Sequence, residues 1–303
     1  MSHPLTRICL AVLVLFTADI VWGQLASYRT SVVTHVFPGI DNSRIVFVLP
    51  GWGQDGRAVG QILAEGQINQ IATVVAFDYP HRGFYLRDIY QELIRQLKLH
   101  QPTAWTAVGG SMGGEIWFEL MRHYRAECIA NPYGLPLPPI FDSAPACPED
   151  VMIPRWGFAL MGKLGHGPIA TALKAAIMKL TAVRPITPDP GIDPDALKRL
   201  YHMTTWYPFP GAAAQAQWMS KFDARIIGAN SLVPAIHFIK GATDDDGLVR
   251  NRQAVHHWQK VAHVIVHTDN VRGARDHNTV TRPNFVAQIV ATVFAQAPTG
   301  TVS

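Results

Sequence analysis

The chain holds 303 residues, of which 48% are apolar and 16% charged, with a formal net charge of +4. That apolar content excludes a disordered or acidic chain, because burying it can offset the entropy lost on ordering. Basic residues are spread along the sequence with no block of like charge, so nucleic acid is not expected as a partner.

The first 23 residues read as an export signal. Arg7 precedes the apolar run Ile8–Phe16, and Val21-Trp22-Gly23 places small or β-branched residues at −3 and −1 of a cleavage site. Residues 24–303 then form the mature domain, starting at Gln24 and expected to be secreted or periplasmic. A spanning helix needs about 20 apolar residues. Asp19 interrupts this run, and no later segment is apolar enough, so no stable membrane span is expected once the signal is removed.

Beyond the signal, short β-rich runs alternate with helical patterns. Ser31–Phe37, Arg44–Pro50, Ala72–Tyr79, Trp105–Gly109, Pro139–Asp142, Val233–Lys240 and Ala262–His267 read as strands. Leu86–Leu99, Met112–Arg125, Val249–Lys260 and Asn284–Gln296 carry apolar residues at helical spacing. Runs nearly continuous in Val, Ile and Phe imply burial on both faces, so the predicted fold class is α/β, with a mostly parallel sheet flanked by helices. Residues at about 150–225 break the alternation with helical patterns, among them Thr171–Leu180 and Asp193–His202. The second opens on an Asp cap followed by Pro194. This stretch, which also contains Trp156, Trp206, Tyr207 and Trp218, reads as a helical insertion: a lid over a pocket, or an ordinary packed subdomain.

The strongest motif is Gly109-Gly110-Ser111-Met112-Gly113, a G-x-S-x-G between a strand pattern and a helix pattern. A serine on so tight a turn is lifted above the sheet, and small residues two before and two after it let strand and helix approach. The unpaired N–H groups of the first helical turn favour negative charge beside it. In this layout Cys128 lies at the bottom of the sheet and Cys147 at the top. A strand of about six residues separates them by roughly 20 Å, and a disulfide needs Cα atoms within about 7 Å, so two unpaired thiols are expected.

With this elbow the sequence resembles the α/β-hydrolase superfamily of serine esterases, lipases and thioesterases over essentially the whole mature chain. Members carry a H-G-x-G-like loop after an earlier strand, matched here by Pro50-Gly51-Trp52-Gly53, with Pro50 in place of the histidine. The resemblance implies an oxyanion hole made by the backbone N–H groups of Trp52 and Met112. It also implies the chain order nucleophile, acid, histidine. The acid falls in the loop Gly241–Val249, where position before the apolar pair Leu248-Val249 points to Asp246 and distance from Gly241 points to Asp244. Asp246 is favoured, the remaining aspartates being left to cap the next helix. Of 13 histidines, His277 alone stands in a polar loop, Arg275-Asp276-His277-Asn278, between the last strand and the final helix, where the family's base stands. His256, His257, His263 and His267 lie inside helix or strand patterns.

The expected activity is hydrolysis of a small-molecule carboxylic ester or thioester through an acyl-enzyme on Ser111, and a peptidase of the same fold would use the same groups. A different class is also open. Gly51-Trp52-Gly53-Gln54-Asp55-Gly56 matches G-x-G-x-x-G after a strand, and Asp78 ends the next strand, as an NAD-dependent oxidoreductase requires. A catalytically dead binding module is the third possibility. No cofactor or metal is expected: adjacent His256 and His257 cannot share a helix face, and Cys128 and Cys147 lack close spacing.

Overall fold

A computed structural model describes residues 4–25, 29–81, 83–128, 132–152, 193–227, 235–244, 246–272 and 282–297. In chain order the elements are α1 (Pro4–Leu25), β1 (Val33–Phe37), β2 (Arg44–Leu49), α2 (Gly56–Glu65), β3 (Thr73–Asp78), α3 (Leu86–His100), β4 (Ala104–Gly110), α4 (Met112–Glu127), β5 (Leu135–Pro136) and β6 (Ile140–Asp142). They continue with α5 (Pro194–Thr205), α6 (Phe209–Met219), α7 (Ala224–Ile227), β7 (Ala235–Gly241), α8 (Asn251–Trp258), β8 (His263–Asp269) and α9 (Pro283–Ala295).

The strands form one sheet in the order β1-β3-β2-β4-β6-β7-β8, and the short β5 pairs with β4 ahead of β6. Among the described strands only β1 runs antiparallel to its neighbour. On one face Phe47, Phe77, Trp105 and Phe238 meet Leu93, Trp117 and Trp258 from α3, α4 and α8. On the other, Val46, Val74, Val108 and Ile239 meet Leu63, Leu200 and Val290 from α2, α5 and α9. Each large apolar side chain removed from water in this way contributes about 1.5–3 kcal/mol. Burial on both faces explains the apolar runs, and the α/β expectation holds.

Helix α2 is absent from the sequence expectations, because Gly56 and Gly60 spoil its pattern. Both glycines are packing requirements: a Cβ on Gly56 would stand 1.9 Å from the Phe77 carbonyl oxygen, and one on Gly60 would stand 2.4 Å from the Ala76 Cβ. Asp55 caps the helix by accepting the Ala58 N–H at 2.9 Å. A second difference concerns Leu248-Val249, which does not start a helix. Val249 bridges Val151, and α8 begins at Asn251.

Helix α1 covers most of the stretch expected to be an export signal, with Ile8, Leu10, Leu13 and Leu15 exposed. Among the described residues no helix is long and apolar enough to cross a membrane. Between β6 and β7 the described part of the insertion is α5 to α7, and Asp193 caps α5 through the Asp195 N–H at 2.9 Å. Thr171–Leu180 and Trp156 lie outside the described residues. Cys128 closes α4 and Cys147 is buried past β6, both as free thiols.

Register places the candidate site. Leu49 of β2 is level with Gly109 of β4, Gly109 with Phe141 of β6, and Asp142 with Ile239 of β7. The loops after β2, β4 and β6 therefore leave the sheet side by side at its C-terminal edge, where open α/β sheets bind their ligands.

Candidate active site

Ser111 sits between β4 and α4 at φ 48° and ψ −118°, a backbone conformation outside the ordinary regions for a residue with a side chain. Its N–H donates to the Asp142 carbonyl at 2.7 Å, and its own carbonyl accepts from Gly114 at 3.0 Å. The flanking glycines make this turn possible. A Cβ on Gly109 would stand 2.6 Å from the Gly114 nitrogen, and one on Gly113 would stand 2.0 Å from the Leu49 oxygen. The elbow expected from G-x-S-x-G is present, with Met112 fully buried as the first residue of α4.

The loop after β2 lies against this serine: a Cβ on Gly51 would stand 3.4 Å from the Ser111 Cβ. Pro50 cannot tie the loop down as a histidine side chain could, and other groups do so. The Tyr79 hydroxyl donates to the Pro50 carbonyl at 3.2 Å. The Gly51 N–H donates to Gln54 Oε1 at 2.8 Å. Gly53 adopts φ 66°, and its N–H donates to Gln215 Oε1 at 2.8 Å. The Trp52 indole N–H donates to the Ala212 carbonyl at 2.7 Å. Sequence reasoning found the loop but not its partners on α6, which stand about 160 positions away in the chain.

The same region weakens the dinucleotide alternative. Asp78, the residue that would meet a ribose, is buried and held by the Arg29 guanidinium through contacts of 2.6 and 2.7 Å. Arg29 also lies 3.2 Å from the His81 ring. Burial, with Arg29 second, pulls the His81 pKa down to about 4, so this imidazole is neutral at ordinary pH.

The two candidate acids occupy opposite environments. Asp246 is buried, and its carboxylate accepts the N–H groups of Leu248 at 3.1 Å and Val249 at 2.8 Å, and the Asn251 amide at 3.0 Å. These bonds hold the loop ahead of α8, whose N-cap residue Arg250 makes no side-chain capping bond, so the capping expected of the remaining aspartates is not seen among the described residues. Asp244 is exposed and pairs with Lys240 at 3.3 Å and Arg252 at 3.8 Å. His277 lies outside the described residues. His267 is engaged elsewhere, 2.9 Å from His237 across β7 and β8.

Two further groups escaped the sequence reading. Arg272, fully buried, donates to Asp142 at 2.7 Å and to Ser143 Oγ at 2.8 Å, which braces the end of β6 whose carbonyl holds the Ser111 N–H. Neither residue belongs to a recognisable motif. The second group bears on the expectation that no metal ligands cluster. Cys147, Asp150 and His257 are all buried, with ligand atoms within 4.8 Å of one another. His257 Nδ1 lies 2.7 Å from Asp150 and 3.2 Å from Cys147, while the other Asp150 oxygen accepts the N–H groups of Ala146 and Cys147. Burial, then a hydrogen bond to Glu149, push the Cys147 thiol well above its ordinary pKa, so the sulfur stands as a thiol in this arrangement. The donors instead complete one another's hydrogen bonds and tie α8 to the segment after β6.

No family model and no curated protein sequence matches the chain. Solved structures do match. An esterase from Exiguobacterium antarcticum is 13% identical, with a TM-score of 0.64 over 89% of this chain and all of the other (100%). A thermophilic esterase from Thermogutta terrifontis is 15% identical, with a TM-score of 0.60 over 89% and 97% of the two chains. A bromoperoxidase from Bacillus anthracis is 13% identical, with a TM-score of 0.61 over 90% and 98%. At these identities the likeness is one of fold.

Proposed function

From the α/β-hydrolase fold that this chain has, and the serine at its elbow, we propose an exported serine hydrolase that cleaves carboxylic esters or thioesters. The observation that carries the reading is the strained Ser111 backbone, held by glycines that admit no side chain beside a loop of backbone donors. Strain of this kind persists where surrounding structure over-determines it, and here it serves to present one hydroxyl.

In the proposed reaction His277 takes the Ser111 proton as Oγ attacks the acyl carbon, forming a tetrahedral oxyanion. The N–H groups of Trp52 and Met112 receive that charge, each donor lowering the barrier by about 3 kcal/mol. His277 then protonates the departing alcohol or thiol, and water repeats the sequence to free the acid. Asp246 holds the His277 tautomer. Its burial supports it over Asp244, because a carboxylate exposed to water and paired with Lys240 and Arg252 is screened from a nearby imidazole. The insertion at about 150–225 is proposed to cap the substrate. The exposed apolar helix α1 supports an export signal and a secreted or periplasmic location.

A fluorophosphonate probe tests the reading. It should label wild type at Ser111 and leave Ser111→Ala unlabelled, and p-nitrophenyl ester turnover should disappear in that variant with an unchanged thermal midpoint. Retained turnover removes Ser111 from its role.

A further inference from the structure

The loop beside Ser111 presents three consecutive backbone amides, those of Gly51, Trp52 and Gly53, and the first and third are fixed by side-chain acceptors. Gly51 donates within the loop to Gln54. Gly53 donates across the molecule to Gln215 Oε1, on helix α6, and this bond is buried. The direction of the Trp52 N–H is therefore set by its two neighbours. The left-handed φ of 66° at Gly53 makes the setting sensitive, since a glycine released from its partner has more conformations open to it than any other residue.

Gln215 is built for this task. Its side chain is fully buried, and its amide nitrogen donates to the Tyr207 hydroxyl at 3.0 Å, which fixes which end of the amide faces Gly53. Tyr207 is itself buried and packs edge-on against His81 at 5.2 Å. One turn earlier on α6, the Ala212 carbonyl accepts the Trp52 indole N–H, so α6 grips the loop at two successive residues.

We propose that Gln215 is a positioning residue for ester hydrolysis, holding the Trp52–Gly53 peptide in the orientation that receives the oxyanion. The inserted helices thus contribute to the reaction through the loop, in addition to any role as cover. This rests on the hydrolase reading above, with Trp52 as an oxyanion donor.

The test compares wild type with Gln215→Leu, which deletes both bonds at nearly constant volume, and Gln215→Glu, which keeps an acceptor oxygen for Gly53. For Gln215→Leu, kcat on p-nitrophenyl butyrate should fall about tenfold or more, with KM within about twofold, the signature of an interaction made only in the transition state. Inhibition by a trifluoromethyl ketone, whose serine adduct carries an oxyanion, should weaken by a similar factor. Amide exchange over residues 51–54 should accelerate. Gln215→Glu should recover the exchange protection and most of kcat. Should Gln215→Leu fail to fold, Gln215→Asn, which keeps the amide on a shorter stem, is expected to give the same split. Unchanged kcat and exchange overturn the proposal, as does a kcat loss that ketone inhibition does not follow. The exchange readout separates the two readings: accelerated exchange in a protein whose wild type hydrolyses no ester leaves Gln215 as the loop's anchor and removes the hydrolase reading instead.

Discussion

At the elbow, shape comes from missing atoms. Gly109 and Gly113 stand where any Cβ would collide with backbone, and Ser111 is left in a conformation it would not choose alone. At the loop after β7, shape comes from added atoms: the Asp246 carboxylate gathers the amides of Leu248, Val249 and Asn251 around itself. The contrast shows two ways to hold a functional group in place. Steric exclusion is local and tolerates no substitution, whereas a hydrogen-bonded carboxylate can be weakened by degrees.

The sharpest way to break this comparison is at the elbow. Gly113→Ala forces a Cβ to within 2.0 Å of the Leu49 oxygen, which packed backbone cannot relieve. It should cost more than about 4 kcal/mol or abolish folding. Gly110, inside the same motif, is different: a Cβ there meets nothing nearer than the Gly51 nitrogen at 3.9 Å. Gly110→Ala should stay within about 1 kcal/mol of wild type in urea unfolding. Equal losses at the two positions would mean that the motif's glycines serve flexibility rather than close approach.

The loop after β7 gives the next largest effect. Asp246→Ala strands buried donors and should cost about 3 kcal/mol. Asp244→Ala removes only exposed ion pairs and should change stability by less than about 0.5 kcal/mol. Activity sharpens the same contrast. On the proposed triad, Asp246→Asn should lower kcat by about 10³–10⁴, while Asp244→Asn leaves it unchanged. The reverse pattern would make Asp244 the acid.

These two regions also differ in how far they can be read from sequence. The elbow was legible because its cause is a run of adjacent residues, and the strands were legible because burial on both faces leaves only apolar side chains. Helix α2 was not, since Gly56 and Gly60, required by contact with β3, weaken the helical pattern they belong to. The loop after β7 was half legible: its location follows from strand order, but that Asp246 is buried and Asp244 exposed does not. Contacts such as Gly53 with Gln215, or Arg272 with Asp142, join residues more than a hundred positions apart and carry no local pattern. The same holds for the contacts of His257 with Cys147 and Asp150.

Smaller effects lie in the pH dependence of stability. His237, on β7, is buried against His267, and burial, with the His267 charge second, pulls its pKa down to about 4. It is neutral in the fold and takes up a proton on unfolding below its ordinary pKa of 6.5. Stability should therefore be unaffected above about pH 6.5 and decline as pH falls toward 4, lowering the thermal midpoint. His237→Phe should flatten that acid limb in calorimetric scans. An unchanged limb would place the acid sensitivity elsewhere, with His81 the next candidate.

The mirror case lies four residues past Ser111. Glu115 is buried in the first turn of α4, and its Oε2 has no hydrogen-bond partner among the described residues. Burial, and then the nearby Asp150 charge, raise its pKa well above 4.5. The carboxyl is thus favoured protonated in the fold and gives up its proton more readily when the chain unfolds. Its contribution is fully present below about pH 4.5 and is lost as pH rises toward the folded pKa. Glu115→Gln keeps the shape without the charge. It should match wild type near pH 4 and melt at a higher temperature than wild type at pH 8, the gap opening between. A gap that stays constant across that range would mean that Glu115 does not change its protonation on unfolding.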